Sequence, residues 1–335
     1  MKRWNLFGIT FLLVNLATVS VSQAQDRLLI SYGGFNETVG PMWVGVEKGL
    51  FKKYGLDVSM LQVRSGPVSL SALMSGDVQA FWPALSSVLS GVSGGAKIGC
   101  IASPFNRIAR ELIVRKEIDS LAGLREKVFG VQSIGGGFWL QTMIVLDQLG
   151  VDPDKYGLKM RVIGDEPTIL QALLASNIDA GVITFASAAV AKRAGLRSLV
   201  NTSELRVSYQ GAGICTRSDR IANSPDLMLR LLKGMVEGVA FIQDSRNKRD
   251  VMEILKKNLR LRTDQDAETS YSALRLVSTL DVAPDPQAWR NVQKYVSRAN
   301  PKVAQVDIHQ IINGSFVKNL EETGFLPEAR KKLGL

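Results

Sequence analysis

The sequence predicts an α/β protein made of two similar lobes of mostly parallel sheet, followed by a helical tail. Three observations predict this. Short apolar strands alternate with helices of crossover length from Arg27 to Thr216, which is the pattern of parallel sheets. One helix–strand unit recurs at a constant offset along the chain. After Ser224 the strand pattern stops and only helical periodicity remains.

The first strand spans residues 27–32 and ends at Gly33-Gly34. Residues 41–54 read as a helix, because Trp43, Val46, Leu50 and Phe51 recur at three- and four-residue spacing before Gly55 stops it. A strand at 57–63, a helix at 67–75, a strand at 78–82, a helix at 85–92 and a strand at 97–102 follow. The unit then returns. Pro67, Leu70, Ala72, Leu73 and Ala80 are matched by Pro167, Leu170, Ala172, Leu173 and Ala180, and Lys53-Tyr54-Gly55-Leu56 is echoed by Lys155-Tyr156-Gly157-Leu158. Each proline sits where a first helical turn tolerates it. Only two copies occur, far apart, which fits two lobes better than a repeat array. In the tail, Ser224-Pro225-Asp226 starts a helix carrying Leu227, Met228, Leu231, Leu232, Met235, Val236 and Val239 at helical period. Further helices are expected at 252–259, 267–280, 287–298, 306–313 and 316–323.

The N-terminus carries a different signal. Lys2 and Arg3 precede an apolar stretch from Leu6 to Val21, and Ser22-Gln23-Ala24 places small residues where a signal peptidase reads. Asn15, Thr18 and Ser20 interrupt the stretch, which is shorter than the ~20 apolar residues a spanning helix needs. Residues 1–24 are therefore expected to be a cleaved secretory signal. No cysteine follows the apolar run to carry a lipid, so the expected compartment is a periplasm. The mature protein should begin near Gln25. Intact-mass measurement of the periplasmic protein checks this, and a retained Met1 in the membrane fraction would overturn it.

At 46% hydrophobic and 21% charged, the chain has the composition of an ordinary globular protein. The formal charge of +10 falls to +8 without Lys2 and Arg3, and positive and negative residues are interspersed. A scattered charge of this kind reads as solvated surface, not as a nucleic-acid footprint. Cys100 and Cys215 exclude a disulfide framework. Each lies in an apolar, strand-like segment, so two buried free thiols are expected, although an oxidising compartment permits a bridge. No metal-ligand spacing is present and no cofactor is expected. His309 is the only histidine and lies in the helical tail, where a Ser-His-Asp triad has no support.

The chemistry concentrates at strand-to-helix turns. Tyr32-Gly33-Gly34-Phe35 ends the first strand, and Ser133-Ile134-Gly135-Gly136 follows the strand at 128–132 and opens a helix through Trp139. Glycine lets backbone N–H groups approach a ligand, and ligands in open α/β sheets bind beyond the carboxyl ends of strands. Trp82-Pro83, Ser103 and Thr184-Phe185 fall at equivalent positions. Together these turns predict a shared cleft for a small molecule, with Tyr32, Phe35, Trp82, Trp139 and Phe185 as aromatic walls. Arg64 and Arg107 are candidates to pair with an anion. Neither glycine turn has Walker or G-x-G-x-x-G spacing.

Two segments carry a family resemblance. Val46-Glu47-Lys48-Gly49-Leu50-Phe51-Lys52-Lys53-Tyr54-Gly55-Leu56-Asp57-Val58, followed by Ala72-Leu73-Met74-Ser75-Gly76-Asp77-Val78-Gln79-Ala80, resembles the signature of the nitrate/sulfonate/taurine-type substrate-binding proteins of ABC importers, the NMT1/THI5-like proteins. The resemblance implies a type II periplasmic-binding fold, with lobes joined by two crossovers near residues 110–117 and 208–216. Lobe I would comprise residues 25–113 and 212–335, and lobe II residues 114–211. It further implies a monomer that delivers a small organic or anionic solute to a membrane permease and is not an enzyme. Carried over by position, the site would use Gly33, Gly34, Phe35, Trp82, Pro83, Ser133 to Gly136, Thr184 and Phe185. Pyrimidine-precursor synthases of the same superfamily use an active-site histidine and a cysteine-rich iron site, and this chain departs from that pattern. A periplasmic partner that presents its ligand to a sensor kinase is the other alternative.

Overall fold

The computed structural model describes residues 25–63, 65–205 and 209–335. The expected signal segment and Arg64 lie outside the described residues. Ten strands are described: β1 (Asp26–Tyr32), β2 (Leu56–Gln62), β3 (Ala80–Trp82), β4 (Ile98–Ala102), β5 (Arg110–Val114), β6 (Val128–Val131), β7 (Lys159–Val162), β8 (Ala180–Thr184), β9 (Arg197–Asn201) and β10 (Ile214–Arg217). They form two five-stranded sheets, ordered β2-β1-β3-β10-β4 and β7-β6-β8-β5-β9.

The two orders are the same plan. In each sheet, three strands run parallel, and one strand is antiparallel to both its neighbours. That strand is β10 in the first sheet and β5 in the second, each entering directly from the opposite sheet. The chain therefore crosses twice, between β4 and β5 and between β9 and β10. β4, β5 and β8 are buried at every residue, as strands covered on both faces by helices must be.

The sequence repeat maps onto equivalent places in this plan. Gly55 and Gly157, at φ of 70° and 64°, turn the chain into the edge strands β2 and β7. Ser65 caps the helix Gly66–Ser75 by accepting from the Val68 N–H, and Asp165 caps Glu166–Leu174 by accepting from the Thr168 N–H. Both helices carry proline in the first turn, where a missing N–H costs nothing.

The tail covers both sheets. The long helix Pro225–Gln243 buries Leu231, Leu232, Met235, Val236 and Val239 against the first sheet. Helix Asp264–Val277 packs on Phe185–Arg193, with Arg193 paired to Asp266 at 3.1 Å. Helix Pro286–Ala299 packs on Gly137–Gln148, where the Tyr295 hydroxyl donates to Asp147 at 2.5 Å. One apolar cluster runs without interruption from Leu73 and Phe81 through Leu112 and Phe129 to Trp289, so the two sheets share a core.

Three expectations are corrected. The first crossing lies before residue 110 and not near 110–117, because Arg110–Val114 is already a strand of the second sheet. The segment at 306–313 is not a helix beyond a 3-10 turn at Ile308–Gln310. The chain is drawn out there because Ile311 accepts from the Cys100 N–H and the Asn313 N–H donates to the Cys100 carbonyl, which closes the edge of β4. Cys100 and Cys215 are not free thiols. They face each other across the antiparallel pair β4–β10, with Cα atoms 4.0 Å apart, and form a disulfide.

Candidate functional site

The carboxyl ends of the parallel strands in both sheets open into one cavity, part of it open to solvent. Its first wall comes from the turn after β1, the end of β3 and the β4–β5 crossover; its second comes from the turn after β6 and the start of Gly137–Gln148. A second space beside it is bordered by Phe35, Gln62, Phe138 and the Gly164–Thr168 turn.

The depth of the cavity holds a charged network. Arg110, the first residue of β5, is held by its backbone N–H donating to Thr202 Oγ1 at 2.9 Å. Its guanidinium pairs with Glu166 at 3.1 Å, donates through Nε to Gln141, and lies 4.1 Å over the Phe138 ring. Gln141 in turn donates to the Tyr209 hydroxyl at 2.7 Å. Glu166 sits in the first turn of its helix and accepts from the Thr184 N–H at 3.0 Å, the Thr184 hydroxyl, and the Ser187 hydroxyl at 2.7 Å. Thr184 also caps the helix Phe185–Arg193, so one carboxylate ties together two helix starts and a guanidinium. Arg110 and Glu166 are each 5% exposed.

A second carboxylate lies close by. Asn36 accepts from the Thr38 N–H and folds the chain after Gly34 into a 3-10 turn at Glu37–Val39. This places Glu37, 4% exposed, in the cavity wall. Burial pushes its carboxyl up to about 7, the negative charge of Glu166 adds to the rise, and its own backbone N–H and Arg110 oppose it. No side-chain hydrogen bond reaches Glu37 among the described residues.

The structure brings Gly33, Gly34, Trp82, Pro83, Ser133 and Gly136 to the main cavity and Phe35 to the adjoining space. Trp82 is 2% exposed. Its indole N–H donates to the Thr38 carbonyl at 3.1 Å, and its ring meets Phe105 edge-on, so it is floor and core together. Arg107 is exposed at the rim. Other candidates stand outside the lining. Tyr32 packs edge-on against Trp43, Ser103 donates to the Gly211 and Ala212 carbonyls, and Trp139 is buried in the shared core. Thr184 acts through Glu166, and Phe185 packs against the core of the first sheet. Gly135 turns the loop at φ of 78°, outside the lining.

At Gly136, an added Cβ would strike Ser133 Oγ at 2.3 Å, so this glycine closes its own turn. At Gly137 an added Cβ would come within 2.7 Å of the Ala84 methyl, across from the first wall. The glycines thus let the two walls meet closely.

A model of the NMT1/THI5-like family matches residues 36–247. A Brucella abortus protein named as a binding protein is 25% identical over 248 residues, which cover 72% of this chain and 74% of that one. Among solved structures, the periplasmic sulfonate-binding protein SsuA of a Methylobacillus flagellatus ABC transporter superposes with a TM-score of 0.73. It is 16% identical, and the match covers 90% of this chain and 96% of SsuA. The desulfurization enzyme DSZB superposes with a TM-score of 0.64 at 16% identity, covering 89% of this chain and 99% of the enzyme. At such identities the likeness is one of fold.

Proposed function

The chain belongs to the NMT1/THI5-like family, and from that premise we propose that it is the exported solute-binding component of an ABC importer. It captures a small organic solute between its two sheets and delivers it to a membrane permease. The observation that carries this reading is the cavity itself, walled by both sheets at their carboxyl ends and floored by a buried, hydrogen-bonded charge network. Two backbone crossings join the walls, so a solute touching both would favour the closed arrangement over the open one.

A thermal-shift screen of sulfonates, carboxylates, pyrimidines and nitrate would identify a binder. Small-angle scattering at saturation should then show a smaller radius of gyration than the free protein. An unchanged radius, with a free protein that is shown to be open, would overturn the closing cleft.

The likeness to DSZB raises a catalytic reading, and one group here has the required property. Glu37 titrates near neutrality, where a general acid or base works. His309 is exposed in the tail and both cysteines are bridged, which leaves Glu37 without a nucleophilic thiol or imidazole beside it. Recovery of the bound solute with unchanged mass after prolonged incubation separates a binder from an enzyme.

A further inference from the structure

The charges buried in the cavity do not suit an anion. The only guanidinium in its depth among the described residues, Arg110, is already engaged by Glu166, by Gln141 and by the Phe138 face. Arg107 stands exposed at the rim. Against that single engaged cation stand two buried carboxyl groups, Glu37 in the cavity lining and Glu166 behind Arg110 at the adjoining space. Glu166 has a full set of partners: a guanidinium, a backbone N–H and two hydroxyls. Glu37 has none from any described side chain, although it is 4% exposed and borders the empty space.

A buried carboxyl group that no side chain reaches is costly to ionise, and a ligand entering the cavity can complete it. The rest of the lining mixes neutral polar groups, such as Ser69, Gln132 and Gln141, with the apolar Phe138 and Val63. From this arrangement we infer that the cleft selects an organic cation, such as an amidinium or a protonated nitrogen heterocycle, with the Glu37 carboxylate as its counter-charge.

The cation lies in the cavity and directs an N–H at Glu37, where it supplies a side-chain hydrogen bond and a close positive charge. Its charge also relieves the repulsion between Glu37 and Glu166 across the cleft. This assignment rests on the reading of the cavity as a solute site and adds the sign of the solute's charge.

The test uses the mature chain and four flat probes of similar size: benzamidinium, benzamide, benzoate and benzenesulfonate. Calorimetric titration should show benzamidinium binding at least tenfold more tightly than benzamide, with the two anions weaker still. Glu37→Gln should abolish the benzamidinium advantage, and Glu37→Asp, which keeps the charge, should retain it; circular dichroism confirms that each variant is folded. Tighter binding of either anion, or a cation preference that survives Glu37→Gln, overturns the charge assignment and leaves the solute-binding reading standing. If none of the four binds, the assignment falls. If the broader solute screen is also silent, the solute-binding reading falls with it.

Discussion

Replacing Cys100 and Cys215 together by alanine should lower the unfolding free energy by about 4–5 kcal/mol. The two residues are 115 apart in sequence, and everything between them includes the whole of the second sheet. In the unfolded chain the bridge closes a loop of that length, and the entropy removed grows with the logarithm of the loop. In the folded protein the bridge joins β4, just before the chain leaves the first sheet, to β10, just after it returns. Both crossings are thereby anchored to each other at their root. Alanine is the better replacement because both sites are buried, and a serine hydroxyl would add a polar group to the core. Urea unfolding of the double variant beside the oxidised parent measures the effect. The parent treated with reductant should move toward the variant, whereas equal midpoints would show that the bridge contributes nothing.

That bridge marks a limit of reading the sequence alone. Cys100 and Cys215 each lie in an apolar strand, and nothing local to either says that β4 and β10 are neighbours. The pairing follows only from the double crossing, which is a property of the whole topology. The two-lobed plan itself was legible, because Pro67 and Pro167, or Gly55 and Gly157, mark helix and strand starts through backbone constraints that act locally. Gly33, Gly34 and Ser133 were legible for the same reason: a cavity at strand ends needs turns that permit close approach. Glu37, Arg110, Gln141 and Glu166 were not singled out as site residues. A glutamate in a first helical turn looks like a favourable cap and an arginine at a strand start looks like surface, until the two walls come together and bury them. The segment at 306–313 has apolar spacing that suits a helix, but its backbone is used by Cys100 at the sheet edge.

Arg110→Met should cost about 3–5 kcal/mol at pH 8 and distinctly less at pH 5. Methionine fills much of the same volume and can lie on the Phe138 ring, so packing is largely kept and charge is the main loss. Glu166 would retain the Thr184 N–H and the hydroxyls of Thr184 and Ser187 but would lose its buried counter-ion. The sign of the pH effect follows from Glu37. Its carboxyl titrates at about 7 in the folded protein against an ordinary 4.5, so the folded state holds a proton that the unfolded state releases. The stability this contributes is fully present below about pH 4.5 and is lost as the pH rises through 7. Arg110 is one of the groups holding that value down, and without it the carboxyl rises further and the loss continues above pH 7. The gap between parent and variant should therefore widen from pH 5 to pH 8, as read from urea midpoints at both. Adding Glu166→Gln to Arg110→Met should recover part of the loss, because removing both partners leaves no uncompensated carboxylate at that position. A gap that stays constant across the two pH values would mean that Arg110 acts through packing and hydrogen bonds alone, and would overturn the electrostatic account of the cavity floor.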